Sequence, residues 1–224
     1  MQKTAVCFIK LFLSALLFFV ASLGVAESTD NLFPKKTVYF GVNVGGGSTE
    51  WKYLVDTTDP ADDAADTTLP TSVTEGGPSW GAVLGYDVSK NFAVELQYMQ
   101  FANAHINFSP VDSIYALPPY NFTSMTSQTS AYSLSGKYLA QIARLPVRAF
   151  AAVGAGVVQR RDILFKGDCV TPYLSSGLVY SASRHWMIES GFQYYTGFGD
   201  SELRPVNNYI PFAWDAYARI AYQI

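Results

Sequence analysis

The chain has 224 residues, 49% hydrophobic, 15% aromatic and only 15% charged, where an average soluble domain carries about 25% charged residues. Its formal net charge of −3 becomes −5 once Lys3 and Lys10 are removed with an N-terminal signal, a balance that argues against nucleic acid as a partner. After Ala26 no run approaches the ~18 to 20 apolar residues of a transmembrane helix, so any membrane span must be built from strands.

The N-terminus reads as a secretory signal. Lys3 and Lys10 precede and interrupt an apolar run from Phe8 to Val20, and Gly24-Val25-Ala26 supplies small residues at the exit, so cleavage is expected after Ala26. The run is short for a membrane anchor. Cys7 leaves with the signal, which leaves Cys169 as the single cysteine and permits no internal disulfide. With no catalytic partner beside it, an inert thiol is expected rather than a dimer cross-link. The expected organisation is a signal peptide over 1–26, a short N-terminal segment over 27–36 and one domain over 37–224.

Strands begin at Thr37. Over Thr37 to Gly47, Val38, Phe40, Val42 and Val44 share one face, and Tyr39, Gly41, Asn43 and Gly45 the other. Ser79 to Val88 repeats this, with Trp80, Ala82, Leu84, Tyr86 and Val88 against Gly81, Val83, Gly85 and Asp87. Asn91 to Phe101 is the clearest case. Phe92, Val94, Leu96 and Tyr98 alternate with Ala93, Glu95, Gln97 and Met99, the period of two of a strand with one apolar face. Further strands are predicted over about Ser130 to Leu139, Arg148 to Val158, about Val170 to Tyr180, His185 to Tyr195 and Phe212 to Ile224. In the fifth, Val153, Ala155 and Val157 are placed outward and Arg148, Gly154 and Gly156 inward. In the seventh, Glu189 echoes Glu95 in mid-strand.

The connections alternate in length. Lys52 to Pro78, Ala102 to Gln128, Gln159 to Cys169 and Thr196 to Pro211 are long, while those after Val88, Leu139 and Tyr180 are brief. Outer-membrane barrels show this asymmetry, and strands of about 10 residues match a tilted crossing. Trp51, Trp80 and Trp214 fall where a strand meets a long connection, and Trp186 falls at a short turn level with Phe92, Tyr138, Tyr180 and Tyr222. Two aromatic girdles are therefore expected. A soluble lipocalin-like barrel would turn the apolar face inward and leave an outside with many glycines and few charges.

The segments V-Y-F-G-V-N-V-G, N-F-A-V-E-L-Q-Y, W-M-I-E-S-G-F-Q-Y and A-Y-A-R-I-A-Y-Q-I give the chain a resemblance to the eight-stranded outer-membrane barrels of the OmpA/OmpX type. The resemblance covers essentially all of the mature sequence. It implies an all-β fold, a single antiparallel up-and-down transmembrane barrel of about eight strands, with short periplasmic turns, long extracellular loops and both termini periplasmic. It further implies the outer membrane of a Gram-negative cell, with outer membrane lipids and lipopolysaccharide around the barrel. The barrel-assembly machinery is expected to read the C-terminal strand, where Ile224 stands in place of the usual Phe or Trp. The peptidoglycan-binding role of longer members is not expected.

By parity the inward set holds Asp87, Glu95, Glu189 and Asp215 against Lys137, Arg148 and Arg219. Two pairs are predicted, Glu95 with Lys137 and Glu189 with Arg219, in a structural network that fills a narrow lumen. A gated ion path through the same charges is the alternative. The acidic loop Asp56, Asp59, Asp62, Asp63, Asp66 and Glu75 lacks calcium-loop spacing and reads as solvated. His105 with Ser109 and Asp112 in one loop is a weak triad signal. No catalytic, cofactor or metal site is expected. The loops carry Ile106, Phe108, Ile114, Tyr115, Leu117, Tyr120 and Phe122, suited to a host or matrix protein surface or to packing over the barrel mouth. The sequence is thus read as a non-enzymatic outer-membrane barrel with a structural or adhesin-like role. A narrow pore or a lipid-modifying enzyme remain the alternatives.

Overall fold

The computed structural model describes residues 33, 35–54, 67–143, 145–198 and 205–224. The expected signal and the carboxylates Asp56, Asp59, Asp62, Asp63 and Asp66 lie outside the described residues.

In chain order the strands are β1 (Thr37–Glu50), β2 (Ser72–Thr74), β3 (Gly77–Ser89), β4 (Phe92–Gln100), β5 (Ala104–Asn107), β6 (Ser124–Gln141), β7 (Val147–Arg161), β8 (Lys166–Ser181), β9 (Trp186–Tyr195) and β10 (Phe212–Gln223). Strands β1, β3, β4, β6, β7, β8, β9 and β10 form the wall, each antiparallel to its neighbour in sequence. Pairing of β1 with β10, from Tyr39↔Gln223 to Glu50↔Phe212, closes the sheet. The wall is therefore an eight-stranded up-and-down barrel without a free edge, which is what a strand needs where no water is at hand.

Alternation decides the two faces. Along β4, Leu96 is 52% exposed while Glu95 is 3% exposed, and Val42, Leu134 and Ile220 continue the exposed apolar belt on the other strands. The inward face holds the charged and most of the polar residues, among buried aromatic and apolar side chains such as Tyr39, Phe150, Tyr173 and Tyr217, while the lipid-facing side is apolar. In β7 the facing follows expectation, with Val153 and Ala155 exposed and Arg148 and Gly156 buried.

The connections differ from expectation at one end. Gln159 to Cys169 is not a long loop, because the β7–β8 ladder runs on to Arg161↔Lys166 and leaves only 162–165 as the turn. Inside the stretch Ala102 to Gln128, β5 pairs with β6, and inside Lys52 to Pro78, β2 pairs with β5. The strands keep alternating past the belt, so the backbone goes on bonding into a small sheet that stands above the wall.

Aromatic rows mark both edges of the belt. Trp80 and Tyr98 lie 5.8 Å apart and Tyr98 and Tyr132 5.0 Å apart, Trp214 stacks on Phe192, and at the short-turn end Tyr222 meets Trp186 at 5.1 Å and Phe40 at 5.9 Å. Trp51 is a correction to the predicted girdle. It is 0% exposed, because the chain turns over the barrel mouth after β1 ends and takes the indole away from lipid.

Gly85 is a point of close approach, since the Tyr39 ring lies flat where its Cβ would be. Replacing Gly85 with Val should displace Tyr39 and destabilise the barrel by about 1 to 3 kcal/mol. A lowered temperature for the heat-modifiable gel shift would record it, with Ala82→Val, on the outer face, as the unaffected control.

Candidate functional site

The centre of the lumen holds one four-membered charge ring. Lys137 on β6 bonds Glu95 Oε1 on β4 at 2.7 Å and also Glu189 on β9. Arg219 on β10 reaches the same two acids, with Nη1 2.9 Å from Glu95 and 3.1 Å from Glu189. The expected partition into two separate pairs is thereby corrected. The contact of each expected pair is present, and two further contacts join the pairs across the bore. The reason is width: in so narrow a barrel a long basic side chain from one wall reaches acids on both sides.

Neutral donors and acceptors complete the ring. Tyr39 donates to Glu95 at 2.5 Å and Tyr217 to Glu189 at 2.7 Å, while Arg219 donates to Asn43 and Gln97, each at 2.7 Å. Lys137 Nζ also stands 4.2 Å above the Phe150 ring. A carboxylate out of water is stable only with such partners, and two acids facing two bases leave the ring neutral.

The remaining lumen charges lie apart from the ring. Asp215 accepts from Gln193 at 2.6 Å and Ser79 at 3.1 Å, and Gln97 to Gln193 at 2.6 Å links it back to the ring. Towards the short turns, Gln223 donates to Asp87 at 3.1 Å, and Arg148 donates to the Lys90 carbonyl and covers the ring of Phe33 at 4.7 Å. Phe33 thus sits in the short-turn mouth, 6% exposed.

The other mouth is closed by a cap that sequence reasoning missed. Arg160, at the inward parity of β7, is fully buried between the faces of Trp51 at 4.7 Å and Phe165 at 5.2 Å. It pairs with Asp162 at 2.5 Å and donates to the carbonyls of Val206 and Tyr209 at 2.6 and 2.7 Å. One guanidinium therefore binds the β7–β8 turn, the β1 exit and the β9–β10 connection together. The backbone N–H of Trp51 donates to Glu75, whose carboxyl is held above its usual range by burial, an effect opposed by that bond. Over this pack Ile106, Phe108 and Tyr115, with Phe122 stacked on Tyr115 at 5.5 Å. The signal for it was available, because Val158 and Arg160 continue the inward alternation of β7.

The triad residues are not brought together. Ser109 donates to Asp112 at 2.8 Å, but the His105 ring nitrogen bonds Thr126 at 2.9 Å on the outer wall. Cys169 lies at an inward position against the aromatic packing around Tyr173 and Tyr195.

A family model, the OmpA-like transmembrane domain, matches residues 34–224. The chain belongs to this family. It is an outer-membrane β-barrel of a Gram-negative type. Among solved structures it is similar to the Neisserial surface protein A, at 10% identity over 84% of this chain and 97% of that one, with a TM-score of 0.50. The N-terminal barrel of OprF from Pseudomonas aeruginosa (10% identity, 85% and 98% covered, TM-score 0.48) and AlkL in lipid bilayers (18%, 90% and 94%, 0.49) are also similar. No curated protein matches the chain in sequence.

Lys137→Met should leave two buried acids facing Arg219 alone. Breaking a buried pair from one side costs roughly 3 to 5 kcal/mol, to be read from the heat-modifiable transition. Adding Glu189→Gln to that variant restores neutrality, so the double variant is expected to be more stable than the single one.

Proposed function

We propose that this barrel is a non-conducting, non-enzymatic outer-membrane protein whose work is structural and done at its long-loop surface, with that surface outside the cell. The observation that carries this reading is the burial of the ring: Lys137 is 1% exposed, Glu95 3%, and Arg219 and Glu189 0%. Charges lining a water-filled path would be wet. The cap supports the same reading, since the apolar loop residues that suit recognition are mostly spent in holding the loops in one shape.

What the cap leaves outside is a small set of apolar tips, Val111 at 80% exposed, Ile163 at 69% and Leu117 at 56%. These are the contact points offered to a host or matrix protein in an adhesin-like role. Export by the signal, and recognition of β10 by the assembly machinery, belong to the same proposal.

In planar bilayers the purified barrel is expected to give no stable open channels, and channels whose ion selectivity changes in Glu95→Gln would replace this reading with a pore. In a Cys169→Ala background, impermeant thiol reagents on intact cells should label Val111→Cys and leave Lys90→Cys unlabelled. The opposite pattern would invert the orientation. The double variant Val111→Ser, Leu117→Ser should reduce adhesion to matrix-coated surfaces while the heat-modifiable shift is retained.

A further inference from the structure

The register places a cationic row on the outer wall just above the belt. Gln128↔Arg161 on β6 and β7 and Arg161↔Lys166 on β7 and β8 form one outward-facing row, all three side chains exposed. Two residues lower the row is Ser130, Gln159 and Asp168, and two lower again it is Tyr132, Val157 and Val170. Tyr132 belongs to the aromatic row with Tyr98 and Trp80. Four residues along a tilted strand raise the cations on the order of 10 Å above that edge.

Like charges directly opposite across an antiparallel pair repel. Among the described residues the salt bridges are those of Lys137, Arg160 and Arg219, and none takes in Arg161, Lys166 or the Asp168 below them. An anion between the two cations would turn repulsion into attraction, and a guanidinium and an ammonium together suit a phosphate. On the neighbouring strands Gln128, Thr126 and His105 are exposed and none is acidic. Outward parity puts the row on the same side of the wall as the apolar belt, and below it Val170, Val153 and Leu174 are 67%, 64% and 51% exposed.

We propose that Arg161 and Lys166 bind the phosphates of the phosphorylated, polyacylated glycolipid of the outer leaflet, its acyl chains lying along β7 and β8. Long basic side chains can bend down to the headgroup level while keeping their stems on apolar surface. Asp168 opposes the site, which makes its removal informative. The inference rests on the orientation proposed above.

The test is a titration of the purified full-length barrel in detergent with bisphosphorylated lipid A. The double variant Arg161→Gln, Lys166→Gln should bind roughly tenfold or more weakly, from about fivefold per cation at an anionic surface, and Asp168→Asn should bind more tightly. Dephosphorylated lipid A should bind wild type no better than the phosphorylated form binds the double variant, and inorganic phosphate at equal concentration should not compete. Equal binding by wild type and double variant, no preference for phosphorylated lipid, or displacement by inorganic phosphate would each overturn the proposal. If the double variant loses its heat-modifiable shift, Asp168→Asn decides, and no gain in binding rejects the site. Labelling at Val111→Cys reads orientation without lipid, so an inverted pattern fails both proposals and a correct pattern with unchanged binding fails this one alone.

Discussion

Hydrocarbon offers a backbone N–H nothing to bond, so a chain that crosses a bilayer as strands must give every strand two partners. The pairing of β1 with β10 supplies the last one, and the rest of the structure depends on it. Once the sheet is closed, each strand has an inside and an outside, and the period of two assigns every side chain to one of them. Glu95 and Lys137 then lose the option of facing water. Closure thus creates the electrostatic problem that the ring solves.

The solution is a shared one. Glu95 accepts from Tyr39, Lys137 and Arg219, and Glu189 accepts from Lys137 and Tyr217 and forms an ion pair with Arg219. The acids stand on β4 and β9 and the bases on β6 and β10, so the Lys137–Glu189 and Arg219–Glu95 contacts tie β6 to β9 and β10 to β4, strands that share no backbone bond. Gln97 and Gln193 carry the connection on to Asp215 through neutral amides. A lumen filled in this way is a core in which a polar network runs between two apolar clusters, one around Tyr173 and Tyr195 and one around Tyr39 and Phe150. Its stability rests on every member being satisfied, which explains why one substitution is expected to be felt on four strands.

The alternation, the eight strands and the direction of each face were legible in the sequence, because a period of two states them residue by residue. The contact of Glu95 with Lys137 was legible too, since β4 and β6 are neighbours in the wall and both charges lie at inward parity near the short-turn end. The contact of Lys137 with Glu189 was not. It crosses the bore, and its height depends on the stagger of the strands around the barrel, which no local pattern encodes. Trp51 misled for a related reason: a tryptophan at a strand end fits a girdle by position alone, and only the path of the chain beyond Glu50 turns it onto Arg160. The length of β7 was underread because Arg160 and Arg161 look like loop residues, although one is buried and the other exposed in the alternation of the strand.

Arg160 shows why the loops form a surface rather than a fringe. A guanidinium enclosed by Trp51 and Phe165 and bonded to two carbonyls and Asp162 is far more demanding of geometry than an apolar contact, since any loosening would leave a buried charge unpaired. The three connections it joins are therefore held in one arrangement, and Tyr115 with Asn207 at 2.7 Å fastens a fourth segment to them. Apolar side chains that would otherwise adapt to many partners are fixed in the interior of this cap. What faces outward is a surface of set shape with a few apolar tips, Val111, Ile163 and Leu117, above a wall whose outer face is hydrocarbon edged by aromatic rings.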